Sequence, residues 1–413
     1  MDKRIYLCLA HMSGEEQKYI QEAFDTNWVV PLGPNVNAFE QDLENFVGED
    51  KKVVALSSGT AAVHLALVAC GVQAGDEVIC QSFTFCASCH PITYLGAVPV
   101  LVDSESDTWN MDPVLLEEAI VDRITQTGKK PKAIVVVYLY GMPAKVDEIV
   151  AVANKYDIPV IEDAAEGLGS RYNDRMCGTF GKYGVLSFNG NKMITTSGGG
   201  ALICGSQEDK QSIMFYATQA REGYPYYQHE KIGYNYRMSN ICAGIGRGQM
   251  SVLEKHIQHH QYLAALYEEL FADVQGITFH ENPSACYDSN YWLNTITLSP
   301  DLHVIGEEKA YMAVVKGAVG GTAGVTQTVE NVHTDCEPNR NVEAMRMVLD
   351  AVGIESRPLW KPMHKQPVYR GVPSYINGVS ESVFKVGLCL PSGPWVTEKD
   401  VRMIVKEILK NIK

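Results

Sequence analysis

No run in this 413-residue chain approaches the roughly twenty apolar residues that a helix needs to cross a bilayer, so no membrane-spanning helix is expected. Positive charge is also scarce. Lys and Arg number 35 against 49 Asp and Glu, a net of −14, which argues against nucleic acid or an anionic membrane as the main partner. Small anions stay possible, because a few backbone amides and a helix end can hold a phosphate in an acidic protein. The eleven cysteines lack the dense spacing of a disulfide framework and read as reduced, mostly buried thiols. Lys3 and Arg4 precede only the short apolar run Ile5 to Ala10, without a cleavage site, so no secretory signal is read and a cytoplasmic location is expected. Internal repeats and long polar tracts are missing too, which leaves an ordinary globular chain.

Such a chain is too long for one core of average size, and a large domain with a smaller one is expected. From Val53 to Gly205, short β-branched runs alternate with helix-like segments, the pattern of an α/β domain with a largely parallel sheet. Val53 to Leu56, Glu77 to Cys80, Val98 to Val102, Ala133 to Leu139, Val160 to Ile161, Tyr183 to Phe188 and Ala201 to Cys204 read as strands. Ala61 to Cys70, Pro113 to Asp122, Lys145 to Lys155 and Gln207 to Arg221 read as helices. After the plausible cap Ser239, one long helix is predicted through to about Phe271. Ile277 to His280 and Tyr291 to Leu298 read as strands, and Glu398 to Ile412 as a closing helix capped by Thr397. Gly317 to Gly324 is rich in glycine, and Glu330 to Asn341 reads as a polar loop. The expected division is residues 1–250, a large α/β domain, and 251–413, a smaller α+β domain.

Three segments carry chemistry. Ser57-Ser58-Gly59-Thr60 lies between a predicted strand and a predicted helix, where free amides and the helix dipole face an anion. Taken alone it is better explained by an ordinary strand-to-helix turn. Val160 to Glu166 ends a buried strand in Glu162, Asp163 and Glu166, at the carboxyl edge where open α/β sheets collect ligands. A carboxylate there is costly unless it meets a cation, such as a protonated pyridine nitrogen, although Asp163 could also cap a loop. Ser187 to Lys192 ends another strand. An amine attacks a carbonyl only when neutral, and linkage to an aldehyde cofactor would remove the charge of Lys192 and explain a buried lysine.

Together these segments resemble the fold type I pyridoxal-phosphate enzymes, and within them the DegT/StrS family of nucleotide-sugar aminotransferases. The likeness covers nearly the whole chain and is carried by SSGTAAVHLAL (57–67), SFTFCAS (82–88), IEDAAEGLGS (161–170), GTFGKYGVLSFNGNKMITTSGGG (178–200), IGYNYRMSN (232–240) and RPLWKPMH (357–364). It implies a large domain with a mostly parallel, seven-stranded-type sheet, a smaller C-terminal domain, and pyridoxal 5'-phosphate as cofactor. Lys192 is implied as the lysine that bonds the cofactor, and Asp163 as the partner of its ring nitrogen. Phe85 matches the position against the ring. Gly59, Thr60 and Ala61 match the phosphate cradle, with Ser187 as hydroxyl donor. Asn235 matches an asparagine that reaches the neighbouring subunit's phosphate, which implies a homodimer with shared active sites. Glu166 stands where glutamine or histidine often meets the phenolic oxygen; ionised, it would repel that oxygen, so it is either protonated, turned toward substrate, or tuning a different ketone.

The chain is also similar to PglE-type transaminases, on FNGNK, ITTSGGG, YNYR, RPLWK and CLPSG. That implies amino transfer from L-glutamate to the C4 ketone of a nucleotide-linked 4-keto-6-deoxy sugar, with UDP-4-keto-6-deoxy-N-acetylglucosamine as the expected acceptor. GDP-4-keto-6-deoxymannose and dTDP-3-keto sugars are the alternatives. Arg237, Arg357, Trp360, His364 and Ser392 are then expected to border the sugar nucleotide. A dehydratase of this fold carries histidine where Lys192 stands, and a non-catalytic cofactor-binding regulator is the remaining rival. No metal site is expected: Cys86-Ala87-Ser88-Cys89-His90 matches a haem or redox spacing without the context either needs, and His256, His259 and His260 read as a packed or solvated helix face. Gly178-Thr179-Phe180-Gly181 opens no helix and is no dinucleotide fingerprint.

Overall fold

The computed structural model describes residues 4–48, 50–311, 313–316, 327–330 and 336–413. The glycine-rich Gly317 to Gly324 call falls entirely outside them, as does 331–335 of the polar-loop call. Of the expected polar loop, Arg340 and Asn341 instead open the helix Arg340–Ala351, whose first amides are capped by Asn339.

An eight-stranded sheet organises the chain. Across it run Lys52–Leu56, Gly200–Cys204, Tyr183–Ser187, Val160–Asp163, Ala133–Val137, Glu77–Gln81, Val98–Val102 and Ser374–Tyr375. Gly200–Cys204 is antiparallel to both neighbours, and every other pairing is parallel. All five residues of Ala133–Val137 are buried, as a strand covered on both faces by helices requires. The eighth strand was not read from sequence, because two residues carry no periodicity; Ser374–Tyr375 pairs with Leu101 and Val102 only through the fold. A second, antiparallel sheet orders Ile277–Phe279, Asn294–Leu298, Gly387–Leu390 and Arg357–Pro358. The fold is thus an α/β aminotransferase architecture with a mixed, mostly parallel sheet and smaller antiparallel sheets toward the C-terminus.

Several boundaries differ from the reading by periodicity. The single helix from Ser239 to Phe271 is two, Asn240–Met250 and Leu253–Phe271, with a turn at Ser251 and Val252. The first packs so tightly that a Cβ on Gly248 would lie 2.8 Å from the Glu16 backbone nitrogen. That partner helix, Glu16–Asp25, and its successor Pro34–Val47 were missed, as was Cys86–Tyr94. The Ala133 strand stops at Val137, and Tyr140 follows in the left-handed region at φ 56. Tyr291 to Leu293 is loop before the strand Asn294–Leu298 begins. Helix Gln207–Ala217 ends short of Arg221, and Pro113–Thr127 runs beyond Asp122. Among the described residues no helix is long and apolar enough to cross a membrane.

The three histidines of helix Leu253–Phe271 are packed, each against a backbone carbonyl: His256 on Met193, His259 on Val396 and His260 on Tyr291. His260 is fully buried, and burial pushes its pKa down from 6.5 to about 3 against the hydrogen bond to Tyr291. Between those values the unfolded chain binds a proton that the folded one refuses. Stability is therefore complete above pH 6.5 and falls on acidification, by about 1.4 kcal/mol per unit from this side chain. Denaturant unfolding at pH 7 and pH 5 checks this: His260→Leu should lose less stability between the two than the parent chain, and equal losses would contradict the assignment.

Candidate active site

The carboxyl ends of the sheet strands open into a cavity of 710 Å³ whose lining includes Ser58, Gly59, Thr60, Phe85, Asp163, Glu166, Ser187, Lys192, Arg357 and Trp360. Strand–turn–helix geometry builds one wall. Ser58 is extended, at φ −168, and caps helix Gly59–Ala69. Gly59 and Thr60 open that helix, where amides have no partner one turn back. Approach is close: a Cβ on Gly59 would lie 3.0 Å from Ser187 Cβ, and one on Gly200 would lie 2.4 Å from the Gly59 nitrogen. These glycines let the ends of three strands converge on the helix start, with the Ser187 hydroxyl beside it. Ala61 differs from its expected role, since its amide donates to Ser58 Oγ at 3.0 Å and is already used.

Opposite stands Asp163, the last residue of its strand and 5% exposed. Ser88 Oγ donates to Oδ2 at 2.6 Å and the Ala165 amide to Oδ1 at 3.1 Å. Burial pushes the Asp163 carboxyl up, while these two bonds and the charge of Lys192 pull it back. Lys192 enters from the loop after Tyr183–Ser187. Its Nζ lies 2.9 Å from Glu166 Oε1 and 4.1 Å from the Trp292 ring centroid. Trp292 also donates from Nε1 to the Asn191 carbonyl at 2.6 Å, fastening the backbone just before the lysine. Glu166 Oε2 accepts the Tyr140 amide at 2.9 Å, so the left-handed turn there serves the site.

At the mouth, Trp360 lies 5.3 Å from Phe85 and 4.9 Å from Tyr140, centroid to centroid, and its amide donates to the Tyr140 hydroxyl at 2.8 Å. Arg357 Nη2 meets Glu355 Oε1 at 2.9 Å, and Glu355 Oε2 accepts the Leu7 amide at 3.1 Å. The N-terminal segment is drawn in by Ile5 pairing with Gly353 and Glu355.

Besides Ala61, four expected residues are not brought to this cavity. Arg237 is spent on Glu40 at 2.5 Å and the Ala55 carbonyl at 2.8 Å. His364 bonds Ser82 Oγ at 2.7 Å and Glu381 at 3.3 Å. Ser392 is fully buried, accepting the Asn294 amide at 2.7 Å and donating to the Leu390 carbonyl at 2.8 Å. Asn235 is exposed and bridges Thr218, outside the cavity of the single chain. Four that sequence reasoning missed are Ser88, Tyr140, Trp292 and Glu355. Ser88 sat inside the Cys86-to-His90 pattern, whose chemistry lies in its serine, and the other three carried no local signal.

The profile of the DegT/DnrJ/EryC1/StrS aminotransferases matches residues 10–322 and 322–409. The chain belongs to that family. It is a pyridoxal-phosphate-dependent aminotransferase of nucleotide-linked keto sugars. Among its relatives is EpsN of Bacillus subtilis, 43% identical over 413 residues, covering 99% of this chain and 96% of EpsN. The GDP-perosamine synthase of Caulobacter vibrioides is 32% identical over 402 residues, 97% of this chain and 96% of that one. A crystal structure of a DegT/DnrJ/EryC1/StrS aminotransferase from Brucella abortus superposes with a TM-score of 0.81 at 27% identity, covering 96% of this chain and 95% of that one.

The cavity of this DegT-family chain fits pyridoxal phosphate by its donors. An anion cradle at Gly59, Thr60 and Ser187 stands at one side. Asp163, a buried carboxylate held by two hydrogen bonds, would meet a protonated ring nitrogen, and Lys192 supplies an amine to the same cavity.

Proposed function

We propose that the enzyme moves an amino group from L-glutamate to the C4 ketone of a UDP-linked 4-keto-6-deoxy-N-acetylglucosamine, as a homodimer with shared active sites. The observation that carries amino transfer is the convergence of Lys192, Asp163 and the Gly59–Thr60 helix start in one cavity. When bound, pyridoxal phosphate supplies an electron sink and a carrier for the nitrogen. The Gly59 and Thr60 amides and the Ser187 hydroxyl hold the phosphate, and Asp163 keeps the ring nitrogen protonated. Lys192 moves the proton at the donor's α-carbon as general base. Phe85 and Trp360 wall the cavity and exclude water, and Arg357 at the mouth meets an anionic group of the substrate. The exposed position of Asn235 suits a reach into a neighbouring copy's phosphate site. Residues 1–250 form the cofactor domain in this reading and 251–413 the smaller one.

The choice of C4 and of UDP rests on the FNGNK, RPLWK and CLPSG segments. A second reading, a GDP-linked acceptor, is favoured by the likeness to GDP-perosamine synthase along almost the whole chain. Purified protein supplied with cofactor, glutamate and a panel of UDP-, GDP- and dTDP-linked keto sugars decides between them by product mass. A UDP-linked 4-amino product is expected. Turnover confined to a GDP-linked sugar would move the assignment to the second reading, and turnover of a 3-keto sugar alone would overturn the ring position.

A further inference from the structure

Asn235 stands on a short extended segment that a buried histidine holds from behind. Residue 235 bridges Thr218 in the antiparallel sense, so the side chains of Tyr234 and Tyr236 leave the face opposite its own. Those two rings stack with centroids 5.0 Å apart and are partly buried, while Asn235 is exposed. Against them packs His64, 5% exposed, on helix Gly59–Ala69. Its ring meets Tyr234 edge-on at 4.8 Å and Tyr94 at 5.8 Å. Nδ1 lies 3.2 Å from the Tyr236 hydroxyl, and among the described residues Nε2 has no partner. Burial lowers the His64 pKa, so the imidazole is neutral at pH 7 and its bond to the phenol joins two uncharged groups.

Backbone bonds fix the path of the segment: the Ser57 amide donates to the Tyr236 carbonyl at 2.8 Å, and the Tyr236 amide to the Ala217 carbonyl at 3.0 Å. Its tilt is left to the side chains. Tyr236 and Asn235 leave opposite faces of one ribbon, so the seating of the Tyr236 ring on His64 sets how far, and at what angle, Asn235 stands out. We propose that His64, acting through Tyr236, is a positioning residue for Asn235, and so serves the phosphate site of the neighbouring copy rather than the cradle that its own helix opens. This inference rests on the reach of Asn235 into a neighbouring copy proposed above. Each copy's Gly59–Ala69 helix would then receive one phosphate at its first turn and, a turn further on, support the arm that holds the other.

Mixed dimers test it, with cofactor attachment rather than turnover as the readout. One chain carries Lys192→Ala, so borohydride fixes pyridoxal phosphate only to the other, and intact mass gives the cofactor concentration for half attachment. Tyr236→Phe keeps the ring and both backbone bonds and removes the hydroxyl. His64→Phe keeps the ring contacts and removes the nitrogen. Placed on the chain without the lysine, either variant should raise the half-attachment concentration about three- to tenfold over Lys192→Ala alone, the worth of one uncharged hydrogen bond. Placed on the chain that keeps the lysine, neither should. A rise in the second arrangement, or in both alike, overturns the proposal, since the contact would then serve its own chain. Asn235→Ala on the chain without the lysine is run beside them. If it leaves attachment unchanged, the reach across copies fails and the inference with it; if it weakens attachment and neither ring variant does, the inference alone is refuted.

Discussion

Lys192→Ala is expected to abolish covalent cofactor attachment and to lower turnover by at least about 10³-fold, because in the proposed reading one atom serves as both nucleophile and general base. Nζ sits in the 710 Å³ cavity between Glu166 and the Trp292 ring, and among the described residues no other lysine lines that cavity. Neither neighbour can take over both roles. Glu166 could accept a proton but cannot form the linkage, and the indole does neither. Lys192→Arg separates the two contributions: it keeps a cation against Glu166, and so the local charge balance, but has no nucleophilic amine. Borohydride reduction followed by intact mass should show the cofactor fixed to the parent chain and to neither variant. Turnover of either variant near the parent rate would remove Lys192 from the chemistry.

The second large effect is expected at Asp163. Asp163→Asn keeps the side chain's size and an oxygen for Ser88 or for the Ala165 amide, yet removes the charge that would hold a ring nitrogen protonated. The loss should fall on turnover, by about 10² to 10³-fold as for other preorganised electrostatic groups, with cofactor attachment to Lys192 retained. Ser88→Ala should cost less, about tenfold, since the carboxylate keeps its charge and one of its two bonds. Single-turnover rates with glutamate, followed by cofactor absorbance, measure both. An Asp163→Asn rate within a few-fold of the parent would show that the carboxylate is only a structural cap.

Much of this arrangement was legible before any coordinates, and the limits follow from particular residues. Gly59, Thr60, Asp163, Ser187 and Lys192 all sit where a β-branched run ends, and strand ends in an open α/β sheet face one side. Their convergence could be read from local patterns. Arg237, His364 and Ser392 were expected from the family resemblance alone and lie elsewhere, where Glu40, Ser82 with Glu381, and the Asn294 and Leu390 backbone claim their polar atoms. A sequence shows which donors exist, not which are already spent. The break at Ser251 was invisible for a related reason, since apolar spacing on either side of a turn can stay in phase.

By itself the sequence determined the α/β class and the order of most strands and helices, because periodicity is a local property, and its family motifs implied the cofactor and proposed Lys192 and Asp163 as the residues that meet it. Only the tertiary structure decided which groups from distant segments meet: Ser88 on Asp163, Trp292 on Lys192, Tyr140 on Glu166, and Leu7 with Glu355 at the mouth. Those meetings depend on how whole elements pack, and packing is set by the summed burial of many side chains rather than by any short run of residues.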